Sequence, residues 1–528
     1  MLHTSGYDAS GRRDGSLSRP PRGALDEQGR RRPLANHGRY RSREYHAMLT
    51  ASRTAPSSSD LTELTIAEAA ALLERRAISP VDLVQAAMER IERLDPHLHA
   101  FVTVTGKEAR AAAYLAETRI ASGDYRGGVD GIPFALKDNI ETAGVLTSSH
   151  SKLRLDNVPA EDAAVAASMK RAGGILLGKT ATFEFTAGGP SWDLPWPPAI
   201  NPWSEHHLPG GSSSGNGAAI AARMVAGAIG TDTGGSVRWP AAVCGIVGLK
   251  PTYGRVSRRG VHPNTFSLDH CGPMARSVED CAILLDAIAG HDPRDPGSCD
   301  EPVPDYRAAL TGSIARLRIG LVRHWYSADA QAEVVAAVDA AARQLEGLGA
   351  IVEEVELPPL QDYVDCKAVI SLGELFAIYG NELRARPQDF GKSMRQRVIA
   401  GGLVRAEDYV QALGWRTELT SKVFATFRRF DLLATAGWMS GAEANDPNSD
   451  DFVRKRLLVT MPFSLAGNPA LSLPCGFSSE GLPLSLQLGG RPFDEATVLR
   501  VGEAYQRVTD WHRRVPPLGW ATSEGARS

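Results

Sequence analysis

An α/β sandwich around a largely buried sheet is the fold class this sequence predicts, and three stretches predict it. The first is Gly131 to Leu177, where the apolar run Ile132 to Leu136 is followed by a helix over Asp162 to Ala172 and a second run, Ile175 to Leu177. In the second, Arg318 to Val322, Val334 to Leu348 and Ile351 to Val355 read as strand, helix and strand. In the third, Ala470 to Leu473 and Leu484 to Leu488 are strands parted by a Gly-rich turn, and a helix from Glu495 to Arg507 closes the unit. With 528 residues, 43% of them hydrophobic, and no internal repeat, the chain has enough apolar surface for one large core. One domain over residues 60–515 is expected, between a disordered extension at 1–59 and a flexible tail at 516–528.

The extension is predicted from charge. Residues 1–47 hold ten Arg against five acidic residues and no Lys, a local charge of about +5, with no apolar period. Order begins near Leu61. Thr65 and Glu68 have capping-box spacing, in which hydroxyl and carboxylate each satisfy an orphan amide of the first turn. Ser79-Pro80 repeats the start signal, with Pro at the first helical position, so two helices should precede the first long apolar run.

Bulk properties narrow the partners. A formal net charge of −3 and a pI near 6.5 give no field of one sign, which argues against nucleic acid or an anionic membrane and for a small molecule. The six cysteines are far apart and no His cluster accompanies them, so no disulfide framework and no metal site is expected. No apolar leader and no run of membrane-spanning length is present, and a reducing cytoplasm is the expected compartment.

Chemistry concentrates in the centre. Pro209 to Gly217 (PGGSSSGNG) and Gly230 to Ser236 (GTDTGGS) are two Gly-Ser loops flanking a small-residue helix expected over Ala218 to Ala228. Such a helix lets neighbouring backbones approach closely and would bring both loops to one end of the sheet. Lys137 ends the apolar run of Gly131 to Asn139 (GIPFALKDN) in a chain with ten Lys among 58 basic residues. Burial there disfavours the ammonium, and a neutral amine is a base. Each of these has a plain alternative: a flexible turn for either loop, and a strand-edge lysine reaching solvent for Lys137.

Taken together and in this order, these segments resemble the amidase signature family. Gly178-Lys179-Thr180, Asn201-Pro202-Trp203 and Cys244 to Thr252 (CGIVGLKPT) add to the likeness, which extends over roughly residues 60–515. The resemblance implies the amidase signature fold, a mixed and mostly buried sheet covered by helices on both faces. It implies hydrolysis of a carboxamide, with Ser236 as nucleophile, Lys137 as base and Ser212, following a cis peptide bond, as the relay between them. An acyl-enzyme on Ser236 would be stabilised by backbone amides of Thr233, Gly234, Gly235 and Ser236, where glycines clear the approach. Asp232 and Arg238 would shape the nucleophile loop, and Ser213 would hydrogen-bond Lys137. No cofactor is implied, and a homodimer is an assembly open to the chain.

Substrate identity is less legible. Thr186, Trp192 and Trp239 are candidate substrate-binding residues, and the Thr186 to Asn201 loop is expected to wall an apolar or aromatic acyl pocket. Amides, esters, anilides and carbamates all pass through the same acyl-serine chemistry. Family members that serve as the A-type component of a tRNA-dependent amidotransferase generally have Gln where this chain has Trp239, which argues for a stand-alone hydrolase. The alternatives are that amidotransferase component and a catalytically silent scaffold. One further motif, Gly173 to Thr180 (GGILLGKT), satisfies the Walker A string, yet it follows a helix and runs into a strand, the reverse of a phosphate loop.

Overall fold

A computed structural model describes residues 58–446 and 459–521, all within a compact unit spanning 56–528. The expected disordered extension lies outside the described residues, apart from the start of the helix Ser58–Glu63. Of the expected tail, Leu518–Ala521 forms a 3-10 turn with Ala521 buried, and 522–528 are outside the described residues.

Both helix-start signals form as the local chemistry demands. Thr65 Oγ1 accepts from the Glu68 amide at 3.1 Å while Glu68 Oε2 accepts from the Thr65 amide at 2.8 Å, opening Ile66–Glu74. Ser79 Oγ accepts from the Val81 amide at 2.9 Å and Pro80 opens the helix Pro80–Leu98.

The sheet has eleven strands among the described residues: β1 (Phe101–Val104), β2 (Pro133–Lys137), β3 (Ile175–Thr180), β4 (Gly227–Asp232), β5 (Val247–Lys250), β6 (His270–Ala275), β7 (Arg318–Leu321), β8 (Ile351–Glu354), β9 (Leu432–Ala436), β10 (Ala470–Phe477) and β11 (Pro483–Gly490). Their spatial order is β1-β3-β2-β4-β6-β5-β10-β11-β9-β7-β8. β2 runs parallel to β3 and β4, and β7 to β8 and β9, while the other pairs are antiparallel, so the sheet is mixed as expected.

Side chains of successive strand residues enter different apolar clusters, which is the period of two expected for a sheet covered on both faces. Phe134, Leu136 and Ile229 join a cluster with the helix Val278–Ile288. Ala135 and Ala228 join another, with the helices Ser214–Ala221 and Arg238–Cys244. Lys137, in step with Ala135, projects toward that second layer.

One expected element is corrected. The small-residue helix is Ser214–Ala221, four residues earlier than the sequence suggests at its start, and the rest of the expected span is a turn and the start of β4. Arg223 takes a left-handed conformation at φ 60°, and from Gly227 onward the backbone is paired with β2 and β6. An all-buried run of Ala and Gly carries no periodicity to separate buried helix from buried strand, so tertiary pairing decides.

The Walker-like string is a strand. All but its first two residues form β3, paired on both sides, and Lys179 Nζ is spent inside the fold on Ile140 O at 2.6 Å and Thr147 Oγ1 at 2.7 Å, with Asp138 at 3.7 Å.

Candidate active site

The parallel trio β3-β2-β4 brings three chain segments to its carboxyl end, where open α/β sheets offer a crevice. Lys137 is the last residue of β2. Ser212 and Ser213 precede the Ser214–Ala221 helix, whose start is tied down by the Gly215 amide donating to Ala181 O at 2.9 Å, just past β3. A Cβ on Gly215 would collide with Ala100 O and the Ala181 amide, so glycine is what lets the helix seat there. Asp232 ends β4 and Ser236 follows four residues later. The Ser213 amide donates to Ser236 O at 3.2 Å and so joins the two Gly-Ser loops.

Lys137 and Ser212 meet directly. Lys137 Nζ donates to Ser212 Oγ at 2.7 Å, to Thr231 Oγ1 at 2.9 Å and to Thr231 O at 3.3 Å. Both side chains are buried, and the Gly211–Ser212 peptide bond is cis. Burial lowers the Lys137 ammonium to a pKa of about 7, against the partly opposing fields of Asp232 and Asp269. Ser236 is half-buried.

Two expected contacts differ. Ser213 Oγ donates to Thr231 O at 3.3 Å rather than bonding Lys137, so the two side chains share the Thr231 carbonyl. The Gly235 amide donates to Asp232 Oδ1 at 2.8 Å and is therefore not open to a substrate. Gly234 and Ser236 amides have no partner among the described residues. Gly235 has φ +123° and a Cβ there would strike Thr460 Oγ1, which itself donates to Gly234 O at 2.7 Å. The loop is thus clamped from its outer side.

Asp232 and Arg238 form a fully buried two-point pair, with Nε to Oδ2 at 3.0 Å and Nη2 to Oδ1 at 2.9 Å. Asp232 also accepts from the Val237 amide at 3.1 Å. Burial alone would raise its carboxyl, but the Arg238 guanidinium outweighs it and holds the pKa well below the usual carboxylate range. Arg238 further donates to Thr460 O and Gln487 Oε1, each at 2.8 Å, and to Ser464 Oγ at 2.7 Å. The nucleophile loop is therefore pinned to β11 and to the helix Met461–Ala466.

The aromatic candidates are spread out. Trp239 is buried, stacked on Trp438 at 4.7 Å and 15°, with Phe183 edge-on at 6.1 Å. Trp192 is 42% exposed at the surface. Trp196 lines a hollow of about 270 Å³ with Asp95, His99 and His150, and none of Lys137, Ser212 and Ser236 lines it. Thr186 is buried, with its carbonyl accepting from Asn264 Nδ2 at 2.7 Å. No group of His, Cys, Asp or Glu among the described residues is arranged to hold a metal ion, and no described helix is long and apolar enough to cross a membrane.

Sequence reasoning missed three neighbours. Thr231 lies within the Gly230 to Ser236 loop sequence, and its position on β4 beside β2 is the signal that could have found it. Asp269, which accepts from Thr233 Oγ1 at 2.6 Å, and Lys367, beside Gly234, come from distant segments with no local motif.

Comparison with known proteins shows the family. The Amidase family model matches residues 82–499. The A-type component of glutamyl-tRNA(Gln) amidotransferase from Roseiflexus sp. strain RS-1 is 42% identical over 486 residues, covering 87% of this chain and 99% of that protein. The solved structure of the corresponding protein from Thermotoga maritima has a TM-score of 0.74 at 31% identity, covering 86% of this chain and 97% of that one. The native peptide amidase of Stenotrophomonas maltophilia has a TM-score of 0.75 at 30% identity, covering 87% and 99%. With its sheet, its two Gly-Ser loops and the length of these matches in agreement, the chain belongs to the amidase signature family.

Proposed function

We propose that this chain hydrolyses a carboxamide through an acyl-enzyme on Ser236. The observation that carries this is the 2.7 Å contact between a buried Lys137 amine and Ser212 Oγ, beside the loop that presents Ser236. A serine hydroxyl is a weak nucleophile until a neighbour takes its proton. Here Ser236 gives its proton to Ser212, which passes its own to Lys137, held near neutrality by burial. The Gly234 and Ser236 amides, with Thr233 beside them, supply the oxyanion donors, on the order of 3 kcal/mol each in such enzymes. The amine leaves with the relayed proton, and water then releases the acid by the same path.

The test is the pH profile. Protonated Lys137 cannot accept, so kcat/KM should rise with pH through an apparent value near 7, which belongs to the relay as a unit, and level off above it. Lys137→Ala should lose that limb. A wild-type profile that is flat or falls between pH 5.5 and 8.5, about 1.5 units either side of that value, contradicts the reading.

The relatives' name favours a second reading over the stand-alone hydrolase: an A-type amidotransferase component that frees ammonia from an amide for a tRNA-bound acid. It reopens the expectation that nucleic acid is not a partner. The argument from Trp239 weakens in turn, because its ring is stacked on Trp438 and its identity answers to packing. Simple amides turned over by the purified chain alone support the first reading. Turnover that requires ATP, glutamine, mischarged tRNA and partner proteins supports the second.

A further inference from the structure

The Gly234 amide has no partner among the described residues, and its direction is set by what holds the chain on either side of it. Downstream, Gly234 O accepts from Thr460 Oγ1 at 2.7 Å and the Gly235 amide is taken by Asp232. Upstream, the hold is a side chain: Thr233 Oγ1 donates to Asp269 Oδ1 at 2.6 Å, with both residues buried. Asp232 and His270 are the last facing pair of β4 and β6, so Thr233 and Asp269 stand where the two strands part. Two glycines follow, with no Cβ to restrict their rotation.

Asp269 is built as an anchor. Its Oδ2 accepts from the Asn264 and Thr265 amides at 2.9 and 3.1 Å, and its Oδ1 also accepts from the Thr265 amide at 3.1 Å. Its own amide closes the turn on Thr265 O at 2.9 Å. Backbone amides only donate, so both oxygens are held as acceptors. Burial pushes the Asp269 carboxyl up, while the Thr233 hydroxyl, these amides and the Arg258 charge pull it back. Lys367 and Tyr379 on the helix Leu360–Ala385, and Cys271 on β6, are the other titratable groups that face it. Its charge also reaches the relay, where with Asp232 and Cys271 it opposes the burial that lowers Lys137.

We propose that Asp269 is a positioning residue for acyl transfer, holding Thr233 so that the Thr233–Gly234 peptide turns the Gly234 amide toward the substrate carbonyl. The inference rests on the acyl-serine reading. Without the hydroxyl hold, the peptide ahead of the glycine pair can rotate, and the donor no longer waits in place when charge develops on the carbonyl oxygen.

The test reads Ser236 with a fluorophosphonate, whose phosphoryl oxygen needs the same donors. Labelling rates are followed by intact-protein mass spectrometry from about pH 5.5 to about 8.5 in the full chain and in Asp269→Asn, Thr233→Val and Thr233→Ser. Asn puts an amide N–H against a backbone donor in either orientation, so Asp269→Asn breaks the anchor without changing its size. Asp269→Asn and Thr233→Val should each slow labelling by about tenfold or more, the double variant little further, and Thr233→Ser should keep the wild-type rate. Asp269→Asn should also move the acid limb to lower pH, because a charge that favours the Lys137 ammonium is gone while Asp232 and Cys271 remain. Thr233→Val keeps that charge and should leave the limb in place. A merely structural role would slow labelling only in step with melting temperature and move no limb. Wild-type rates in folded Asp269→Asn and Thr233→Val overturn the inference, as does Thr233→Ser labelling as slowly as Thr233→Val. If Asp269→Asn does not fold, the comparison of Val with Ser at position 233 decides alone. A wild-type chain that takes no label on Ser236 sinks the acyl-serine reading itself, and the inference falls with it.

Discussion

Ser236→Ala should abolish turnover, by on the order of 10⁴-fold or more, while the protein stays folded. Only one half-buried hydroxyl is removed, and the loop's anchors, from Thr460 to Gly234 O and from Asp232 to Gly235 N, do not pass through it. Ser212→Ala and Lys137→Ala should fall by comparable factors. The double variants should be scarcely worse than the singles, because a broken relay cannot be broken twice. The measurement is kcat/KM across the set, alongside melting temperature. Losses that are small, additive and parallel to stability would mean that Lys137 merely ends a strand and Ser212 merely lines a turn.

Arg238→Ala should give the largest loss of stability, on the order of 3–5 kcal/mol by denaturant unfolding, since it strands a fully buried Asp232 carboxylate. It also leaves Thr460 O, Gln487 Oε1 and Ser464 Oγ without the guanidinium that joins the loop to β11. Because Asp232 holds the Gly235 and Val237 amides, activity should fall further than unfolding alone explains when assayed well below the melting point. A change under about 1 kcal/mol, within the range of a surface pair, would show that the network is not what fixes the loop.

What was legible in the sequence was local or ordered along the chain. Thr65 with Glu68 and Ser79 with Pro80 start helices through contacts within a few residues, and the Lys137, Ser212 and Ser236 segments stand out because glycine and serine cluster at fixed spacing. Legibility failed where a partner from far away decides. The Ala-rich run after Ser214 has no period, so pairing of β4 with β2 and β6 set the end of the helix. The Gly235 amide is a local exception, taken by Asp232 only three residues back. For Trp239, the partner that fixes its ring, Trp438, lies 199 positions away and on no shared motif.

Catalysis through Ser236 requires a covalent bond between its Oγ and the acyl group, which intact-protein mass spectrometry with peptide mapping detects. Treated with a serine-directed fluorophosphonate, the wild-type chain should gain one adduct, carried by the peptide containing Ser236. Ser236→Ala should gain none, and wild-type labelling should slow as pH drops below about 7 in step with protonation of Lys137. An adduct on any other residue, or labelling that persists in the folded Ser236→Ala protein, would contradict the account.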